Sequence, residues 1–459
     1  MRKTSYDKLT AKYQKPLLKS LEEFVAINSV YDEETISKED PFGKGVSAAL
    51  NYIYNLAKQD GFTVYNYDNK VVEIIHGAGD KNLTIMAHAD VVPAGTGWID
   101  PPFEMVEKKG VLYGRGVADD KGPLLATYYA LKALKESRQL SGDYKIRFLV
   151  GGNEERGSLC MEHYFHTLKK EQPTLGFSPD SDFPLICAEK GIINFVVESN
   201  IKFPGLISIK GGVASNAVIE RCEVKFELNP DFLNFIMKNY HRDQAEIRTK
   251  DDITTVIFHG KAAHGALPEL GVNAGMMAIS ALADYSKNPA FVQLKKLFTP
   301  LDGSGFKCGG ESKDMGHNSN NVGIIDYTDG HFSLTTNFRY VDTCNEAKLL
   351  ENIEEACEPF SVRIITRSPL LFFSKESVLV KTLMSSYQTE TGDYHSEPLA
   401  IGGGTYAKEA DNVVAFGMQF PGWESNMHSP GEAVKKDDLF KAMSVYARAI
   451  MDLGNLLKK

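Results

Sequence analysis

The feature that most constrains the fold is a short apolar run that ends in a histidine and an aspartate. Leu83 to Ala87 is followed directly by His88-Ala-Asp90. Such a run is typical of a strand buried on both faces, as in the parallel sheets of α/β proteins. Open α/β sheets bind ligands at the carboxyl ends of their strands, so His88 and Asp90 are expected at that edge. A lone His-x-Asp is more commonly a hydrogen-bonded loop pair, so its partners decide the assignment.

Other segments deliver side chains of the same type. Two further predicted strands lead to Glu154-Glu155 and to Asp180, a loop before a helix carries Asp119, and the closing segment carries His428. Imidazole and carboxylate without thiolate are the ligands of zinc, manganese or cobalt in hydrolytic sites. More ligands are present than one tetrahedral ion needs. The set therefore predicts two ions a few ångströms apart with one carboxylate bridging them.

The pattern along the chain predicts two domains, as a length of 459 residues also suggests. Strands alternate with helices up to about residue 187, which predicts an α/β catalytic domain with a mostly parallel mixed sheet and flanking helices. From 188 to 377 the strands alternate apolar and polar residues, which favours an antiparallel sheet covered by helices on one face. The first pattern then resumes. We therefore expect a catalytic domain of residues 1–187 and 378–459 and an inserted α+β lid domain of residues 188–377.

Charge and cysteine usage exclude several functions. The net charge is −9 and no long basic run occurs, which argues against a nucleic-acid or anionic-membrane partner. No apolar run is long enough for a spanning helix, and no apolar stretch follows the charged amino terminus, so we expect no secretory signal. The six scattered cysteines form no Cys-x-x-Cys pair and are typical of reduced thiols in a cytoplasmic protein. A small-molecule substrate fits best.

Taken in order, these motifs resemble those of the di-metal aminoacylase/carboxypeptidase peptidases. The motifs that carry the resemblance are His88-Ala-Asp90, Gly114-Arg-Gly-Val-Ala-Asp119-Asp-Lys-Gly122, Gly152-Asn-Glu154-Glu155, Ser178-Pro-Asp180 and Met427-His428-Ser-Pro. Four more pieces are similar to the bacterial dipeptidase V (beta-Ala-Xaa dipeptidase) type within that family. These pieces are Gly211-Gly-Val-Ala-Ser-Asn216, Gly260-Lys-Ala-Ala-His264-Gly, Asn337-Phe-Arg339-Tyr and Ile401-Gly-Gly-Gly-Thr405-Tyr.

The resemblance implies a role for each metal-type residue. His88 and Asp180 would hold one ion, Glu155 and His428 the other, and Asp119 would bridge them. The ions would be zinc, with manganese or cobalt as alternatives that suit the same ligands.

Two more acids have implied catalytic roles. Asp90 would accept the free ring N–H of His88 and fix its tautomer. Glu154 would be the general base, and since neighbouring residues of an extended strand point to opposite sides, it could face the substrate while Glu155 binds metal. Asp120 is expected mainly to cap the helix that follows.

The predicted lid would supply the groups that bind the substrate. The resemblance implies that His264 and Asn216 donate hydrogen bonds to the developing oxyanion. Arg339 would grip the substrate carboxylate in a bidentate pair, although on an alternating strand it could equally form a surface salt bridge. The backbone N–H groups around Gly403, Gly404 and Thr405 suit an anion.

We therefore expect a metallo-dipeptidase that cleaves dipeptides with free termini and preferably apolar residues. An N-acyl amino acid deacylase of the same architecture is the alternative enzyme, and a non-enzymatic binding module is the alternative class. A monomer is favoured because the inserted domain can present His264 in the same chain, while a homodimer stays open. No nucleic-acid or membrane partner is expected.

Overall fold

The computed structural model describes residues 5–458 and divides into two compact units. The first unit contains the described residues up to Cys187, Phe373–Leu399 and those from Thr405 onward. The second contains Ala188–Phe372 and Ala400–Gly404. The predicted insertion, 188–377, ends a few residues later than the main part of the second unit and omits Ala400–Gly404. Residues 1–4 and 459 of the predicted catalytic domain lie outside the described range.

The first segment of the chain alternates helices with strands. Its helices are α1 (Asp7–Thr10), α2 (Gln14–Val25), α3 (Lys44–Gln59), α4 (Lys121–Glu136) and α5 (Leu159–Met161). Its strands are β1 (Thr63–Tyr67), β2 (Val71–His76), β3 (Asn82–His88), β4 (Val106–Lys108), β5 (Val111–Tyr113), β6 (Lys145–Gly151), β7 (Leu175–Ser178), β8 (Ser181–Asp182) and β9 (Ile186–Glu189). The chain is helical over 159–167, where α5 passes into a π-helical turn at Glu162–Thr167.

The middle segment is richer in strands. Its strands are β10 (Gly191–Asn200), β11 (Leu206–Gly211), β12 (Arg221–Glu227), β13 (Ala245–Lys250), β14 (Ile253–His259), β15 (Glu311–Ser312), β16 (Gly316–His317), β17 (Ser319–Thr328), β18 (His331–Tyr340), β19 (Ser361–Ser368) and β20 (Leu371–Phe372). Its helices are α6 (Pro230–Asn239), α7 (Ala274–Ser286), α8 (Pro289–Phe298) and α9 (Glu346–Cys357).

The closing segment returns to alternating helices and strands. Its helices are α10 (Val378–Thr391) and α11 (Lys436–Leu457), and its strands are β21 (Leu399–Ile401), β22 (Val413–Ala415), β23 (Met418–Gln419) and β24 (Ala433–Lys435). Within residues 5–458, no helix combines the length and the apolarity that crossing a membrane would require.

The first unit is built around a mixed sheet with the strand order β1-β2-β6-β3-β7-β22. The four strands from β6 to β22 run parallel, while β1 and β2 are antiparallel to their neighbours. Helices α3, α4 and α11 pack against this sheet. Every residue of β3 is buried, as the apolar run predicts. The expected α/β domain with a mixed sheet and flanking helices is confirmed.

Strand register explains why polar groups meet at one edge of this sheet. His88, the last residue of β3, pairs with Gly151 at the end of β6. On the other side of β3, Ile85 pairs with Phe177 of β7, so the chain leaves β7 beside the end of β3. Because the three strands are parallel, their carboxyl ends and exit loops lie side by side.

The second unit has an eight-stranded sheet in the order β13-β14-β12-β11-β17-β18-β10-β19. All of its neighbouring strands pair antiparallel. One apolar cluster joins the sheet to the helices, with Phe232, Ile279, Phe291 and Ile353 from α6 to α9 packed on strand residues such as Val224. The inserted α+β architecture is confirmed.

Candidate metal centre

Three neighbouring strands of the first unit deliver acids and a histidine to the same edge. His88 ends β3, the turn Glu154–Arg156 follows β6, and Asp180 follows β7. The His88 side chain is fully buried, and the structure places its Nε2 atom 3.5 Å from Oδ2 of Asp180. The strand exits therefore converge as the sequence pattern predicts.

Asp119 lies between two histidines that are far apart in sequence. Its Oδ1 atom is 3.0 Å from Nε2 of His88, and its Oδ2 atom is 2.8 Å from Nε2 of His428. Each oxygen of one buried carboxylate thus faces a different imidazole. Two cations, one beside each histidine, would share this carboxylate, which is the arrangement of a bridging ligand.

The remaining two acids complete the set on either side of Asp119. Asp180 lies beside His88, and Oε1 of Glu155 lies 3.3 Å from Nε2 of His428. The five residues form two groups, His88 with Asp180 and His428 with Glu155, that share Asp119. All five predicted ligands are therefore brought together within one unit.

The electrostatics of this cluster favour bound cations. Within residues 5–458, Asp119, Glu154, Glu155 and Asp180 form no ion pair with lysine or arginine. Hydrogen bonds with Asp119 and Glu155 raise the pKa of His428 to about 11. The neighbouring acids thus favour the protonated form of His428. Divalent ions would displace that proton, and the imidazole and carboxylate donors fit zinc, manganese or cobalt.

The acid at position 90 supports His88 differently from the prediction. Nδ1 of His88 lies 3.0 Å from the backbone carbonyl oxygen of Asp90 and 3.4 Å from its carboxylate. The carboxylate instead accepts the backbone N–H groups of Glu154 and Glu155, at 3.1 and 3.2 Å. Asp90 therefore orients His88 mainly through its backbone and ties the β3 exit to the turn that carries both glutamates.

The two glutamates lie in a single 3-10 turn, Glu154–Arg156, rather than in the extended strand that the sequence argument assumed. A carboxylate oxygen of Glu154 lies within 4.8 Å of ligand atoms of His88 and Asp180. An oxygen of Glu155 lies within the same distance of ligand atoms of His88 and Asp119. Burial, together with the neighbouring acids, raises the pKa of Glu154 well above its usual value, although His88 opposes the shift. Such a carboxylate is basic enough to take up a proton.

Asp120 also departs from its expected role. It occupies the position before α4, but its side chain makes no capping hydrogen bond. Its Oδ2 atom accepts the backbone N–H of His88 at 2.9 Å instead. Asp120 is fully buried, and its carboxylate fixes the end of β3 rather than the start of the helix.

The sequence gives little indication of Glu432, which organises the loop that carries Asp119. Its fully buried carboxylate accepts the backbone N–H groups of Gly116, Ala118 and Asp119 at 2.9 to 3.1 Å. Its other oxygen accepts a hydrogen bond from Arg115 at 2.7 Å. Because Glu432 follows His428 closely, it connects the loops of two candidate ligands. An acid at the end of the His428 motif was the only available signal.

We expect Glu432→Gln to weaken metal binding. The amide keeps one acceptor but turns a donor toward Arg115 or the loop N–H groups, so Asp119 loses its fixed position. Residues that orient metal ligands typically contribute about 10- to 100-fold to metal affinity. Competition with a chelator measures this affinity. The control is Glu107→Gln, which removes an exposed partner of Lys436 and should have little effect. Wild-type metal affinity in Glu432→Gln would contradict the assigned role.

Three predicted substrate residues lie together in the second unit. The backbone carbonyl of Asn216 accepts the N–H of Gly265, and Ala217 pairs with His264 in an isolated bridge. The side chains of Asn216 and His264 are both exposed. Burial and the nearby charge of Arg339 lower the pKa of His264, which favours its neutral form.

Arg339 is buried and has no acidic partner in the described part of the chain. It is only 3% exposed, and it donates hydrogen bonds to the side-chain oxygen of Asn337 and to the carbonyl of Gly402. Burial lowers its pKa to about 10. The surface salt bridge considered for this residue is therefore absent, and a buried guanidinium without a carboxylate is a site for an anion.

The residues of the glycine loop have different neighbours in the two units. Gly402 contributes its carbonyl to Arg339, and Gly403 and Gly404 continue the same short segment of the second unit. Thr405 belongs to the first unit, where its hydroxyl accepts the N–H of Ala407 and caps the turn Tyr406–Glu409. The structure thus gives the Thr405 side chain a capping role.

Comparison with known proteins gives a family match over most of the chain. The model described as "Peptidase family M20/M25/M40" matches residues 84–452. A Staphylococcus aureus (strain MW2) protein named "Putative dipeptidase" is 34% identical over 463 residues, covering 96% of this chain and 97% of its own length.

Solved structures show the same fold at low sequence identity. The dipeptidase Dug1p of Saccharomyces cerevisiae has a TM-score of 0.58 at 15% identity and covers 98% of both chains. A metallo-carboxypeptidase of Sulfolobus solfataricus has a TM-score of 0.57 at 18% identity, covering 96% of this chain and 99% of its own.

Proposed function

This chain belongs to peptidase family M20/M25/M40, and we propose that it is a dipeptidase that uses two divalent metal ions. Membership of this family makes it a peptide hydrolase. The observation that carries the finer proposal is the Asp119 carboxylate, whose two oxygens face His88 and His428.

The proposed ligand sets follow from these distances. His88 and Asp180 would hold one ion and His428 and Glu155 the other, with Asp119 shared. Zinc is the preferred ion because imidazole and carboxylate are its usual catalytic ligands, and manganese and cobalt are the alternatives. When bound, the two ions would lower the pKa of a water molecule and polarise the peptide carbonyl.

Glu154 is the proposed general base. Its raised pKa suits a group that accepts a proton from the attacking water and then donates it to the amine that leaves. The same carboxylate would act in both steps because the peptide nitrogen must be protonated when its bond to carbon breaks. The carboxylate of Asp90 would hold Glu154 in place by accepting the backbone N–H of Glu154.

The second unit would bind the free carboxylate of the substrate and the oxyanion that develops during the reaction. Arg339, buried without an acidic partner, is the proposed binder of the free carboxylate. His264 and Asn216 would donate hydrogen bonds to the oxyanion, since the lowered pKa of His264 favours its neutral form and both residues are exposed. Gly403 and Gly404 would offer backbone N–H groups to the carboxylate.

A cleft beside Glu155 supports a dipeptide over an N-acyl amino acid. This cleft of about 350 Å³ is also lined by Asp32, Glu33 and Glu34. Arg156 also lines the cleft and pairs with Glu33, but the acids outnumber it. The net negative charge favours a substrate ammonium group, which a free dipeptide carries and an N-acyl amino acid lacks.

We therefore expect the metal-loaded enzyme to have a kcat/KM at least about tenfold higher for free dipeptides than for the matching N-acetyl amino acids. The reason is that an ammonium group paired with acids contributes on the order of 1.4 kcal/mol or more to binding. The test compares Ala-Leu with N-acetyl-leucine after reconstitution with Zn²⁺, Mn²⁺ or Co²⁺. Protein stripped of metal serves as the control and should be inactive toward both. Equal rates for the two substrates would favour the deacylase, and inactivity with every metal would favour a binding module.

The proposed setting is the cytoplasm, with the protein working as a monomer. All six cysteines are free and most are buried, which suits a reducing compartment.

A further inference from the structure

A second cleft, lying wholly within the second unit, adjoins the proposed carboxylate site. It has a volume of about 650 Å³, within the range of small-molecule sites. Its apolar wall consists of Ala266, Leu267, Pro300, Leu301 and Met315. We refer to it as the Met315 cleft.

Strand pairing places this cleft next to Arg339. Ser319, which lines the cleft, is the direct cross-strand partner of Arg339 on β17 and β18. Residues paired in this way project from the same face of a sheet, with Cβ atoms about 5 Å apart. Gly402 gives a second connection, because its carbonyl accepts a hydrogen bond from Arg339. Gly402 also lies close to Ala266 of the cleft wall, since a Cβ atom added to Gly402 would be only 2.9 Å from the Cβ atom of Ala266. The guanidinium therefore lies at the margin of the cleft.

Two buried polar groups at this margin point to a bound molecule. Arg339 donates to the neutral oxygens of Asn337 and Gly402 but has no acidic partner in the described residues, and a buried charge without a counter-ion favours an anion. Oγ of Ser319 has no hydrogen-bond partner in the described residues although Ser319 is only 4% exposed, and buried polar groups are nearly always satisfied. An amino acid whose carboxylate binds Arg339 would carry its side chain on the adjacent carbon, within reach of the cleft.

The lining of the cleft indicates which side chains it accepts. Leu267 is 50% exposed and Leu301 is 41% exposed, which leaves apolar surface for contact. The acids Glu269 and Asp302 also line the cleft, whereas Lys190 holds its ammonium against the carbonyl of His317. Acidic side chains would meet repulsion there, and small ones would leave the leucines exposed to water.

We propose that the Met315 cleft receives the side chain of the C-terminal residue of the substrate and selects bulky uncharged side chains, aliphatic or aromatic. This assignment rests on the proposed dipeptidase function, because it takes the carboxylate of that residue to lie on Arg339. Leu267 and Leu301 are the specificity-determining residues.

The test compares kcat/KM across Ala-Gly, Ala-Leu, Ala-Phe and Ala-Asp, and across the reversed dipeptides Leu-Ala and Phe-Ala. Wild-type enzyme should prefer Ala-Leu and Ala-Phe to Ala-Gly by about tenfold or more and should disfavour Ala-Asp, since a contact of this size discriminates by about 10- to 200-fold. The double variant Leu267→Ala/Leu301→Ala should lose most of that preference, with a much larger fall in kcat/KM on Ala-Leu and Ala-Phe than on Ala-Gly. The reversed series should be unchanged.

The matched control is Leu270→Ala, which shortens a neighbouring exposed leucine outside the cleft and should leave the whole profile unchanged. Thermal unfolding shows whether each variant is folded. A wild-type profile that is flat across the C-terminal residue would overturn the proposal. The proposal would also be overturned if the double variant lowered kcat/KM for Ala-Gly and for Ala-Phe by the same factor.

A binding measurement separates this proposal from the proposed function. Calorimetry with free L-phenylalanine and glycine should show tighter binding of phenylalanine to wild-type protein and loss of that difference in the double variant. If this holds while no dipeptide is cleaved, the cleft assignment stands and the dipeptidase proposal fails. If dipeptides are cleaved but neither binding nor rate depends on the C-terminal side chain, the cleft assignment fails alone.

Discussion

Replacing Glu154 by glutamine is expected to lower kcat by about 10²- to 10⁴-fold while the bound metal is retained. An amide of the same shape cannot accept the proton of the attacking water, and loss of a general base has an effect of this size. KM should change little, because the shape and hydrogen-bonding capacity of the side chain persist. Metal content by elemental analysis and steady-state kinetics on Ala-Leu measure the two quantities.

Two further variants serve as controls for this experiment. Glu162→Gln, at an exposed glutamate a few residues after the same turn, should leave both kcat and metal content unchanged. Asp119→Asn should lose metal, since Asp119 is the proposed shared ligand. Geometry places a Glu154 oxygen near His88 and Asp180, so a Glu154→Gln protein with less bound metal would identify Glu154 as a ligand and contradict its role as base.

The residues of the candidate metal cluster could be predicted from the sequence because metal sites depend on residue type. His88, Asp119, Glu155, Asp180 and His428 meet within one unit, in the groups that the family resemblance implies. For His88, Glu155 and Asp180, the strand exits follow from apolar runs and parallel register. These are local signals that a single sequence carries.

The orientation of the same residues could not be predicted in this way. The opposite-sides argument for Glu154 and Glu155 assumed an extended backbone, whereas the chain turns into a 3-10 helix there. Glu432 was missed because its partners are backbone amides, which have no sequence signature. Ala400–Gly404 belongs to the second unit through long-range contacts, such as that of Lys190 N–H with the carbonyl of Ile401.

Some elements of the second unit have weak sequence signals. Strand β19 is mostly exposed, and β17 begins with polar residues. Helix α8, by contrast, begins with Asn288 as its cap and Pro289 in its first turn. That pair is a recognised start signal that the sequence does contain.

The second large effect is expected from Arg339→Met, which should lower kcat/KM for free dipeptides by about 10²- to 10³-fold. Removing one partner of a buried, hydrogen-bonded charge pair costs about 2–5 kcal/mol. Arg339→Lys keeps the charge but loses the planar fork, so it should recover only part of the activity. The decisive measurement is the ratio of kcat/KM for Ala-Leu to that for Ala-Leu amide, which should approach one in Arg339→Met.

The same change should leave the fold as stable as wild type or more stable. Burial lowers the pKa of Arg339 to about 10, which means that the charged form is less favourable in the folded protein than in water. Methionine fills a similar volume without that cost, so the melting temperature should not fall. The control is Arg367→Met, at an exposed arginine paired with Glu346, which should change neither the kcat/KM ratio nor the melting temperature. If Arg339→Met lowered the rates on acid and amide equally, or unfolded the protein, Arg339 would serve the structure of the second unit rather than the substrate.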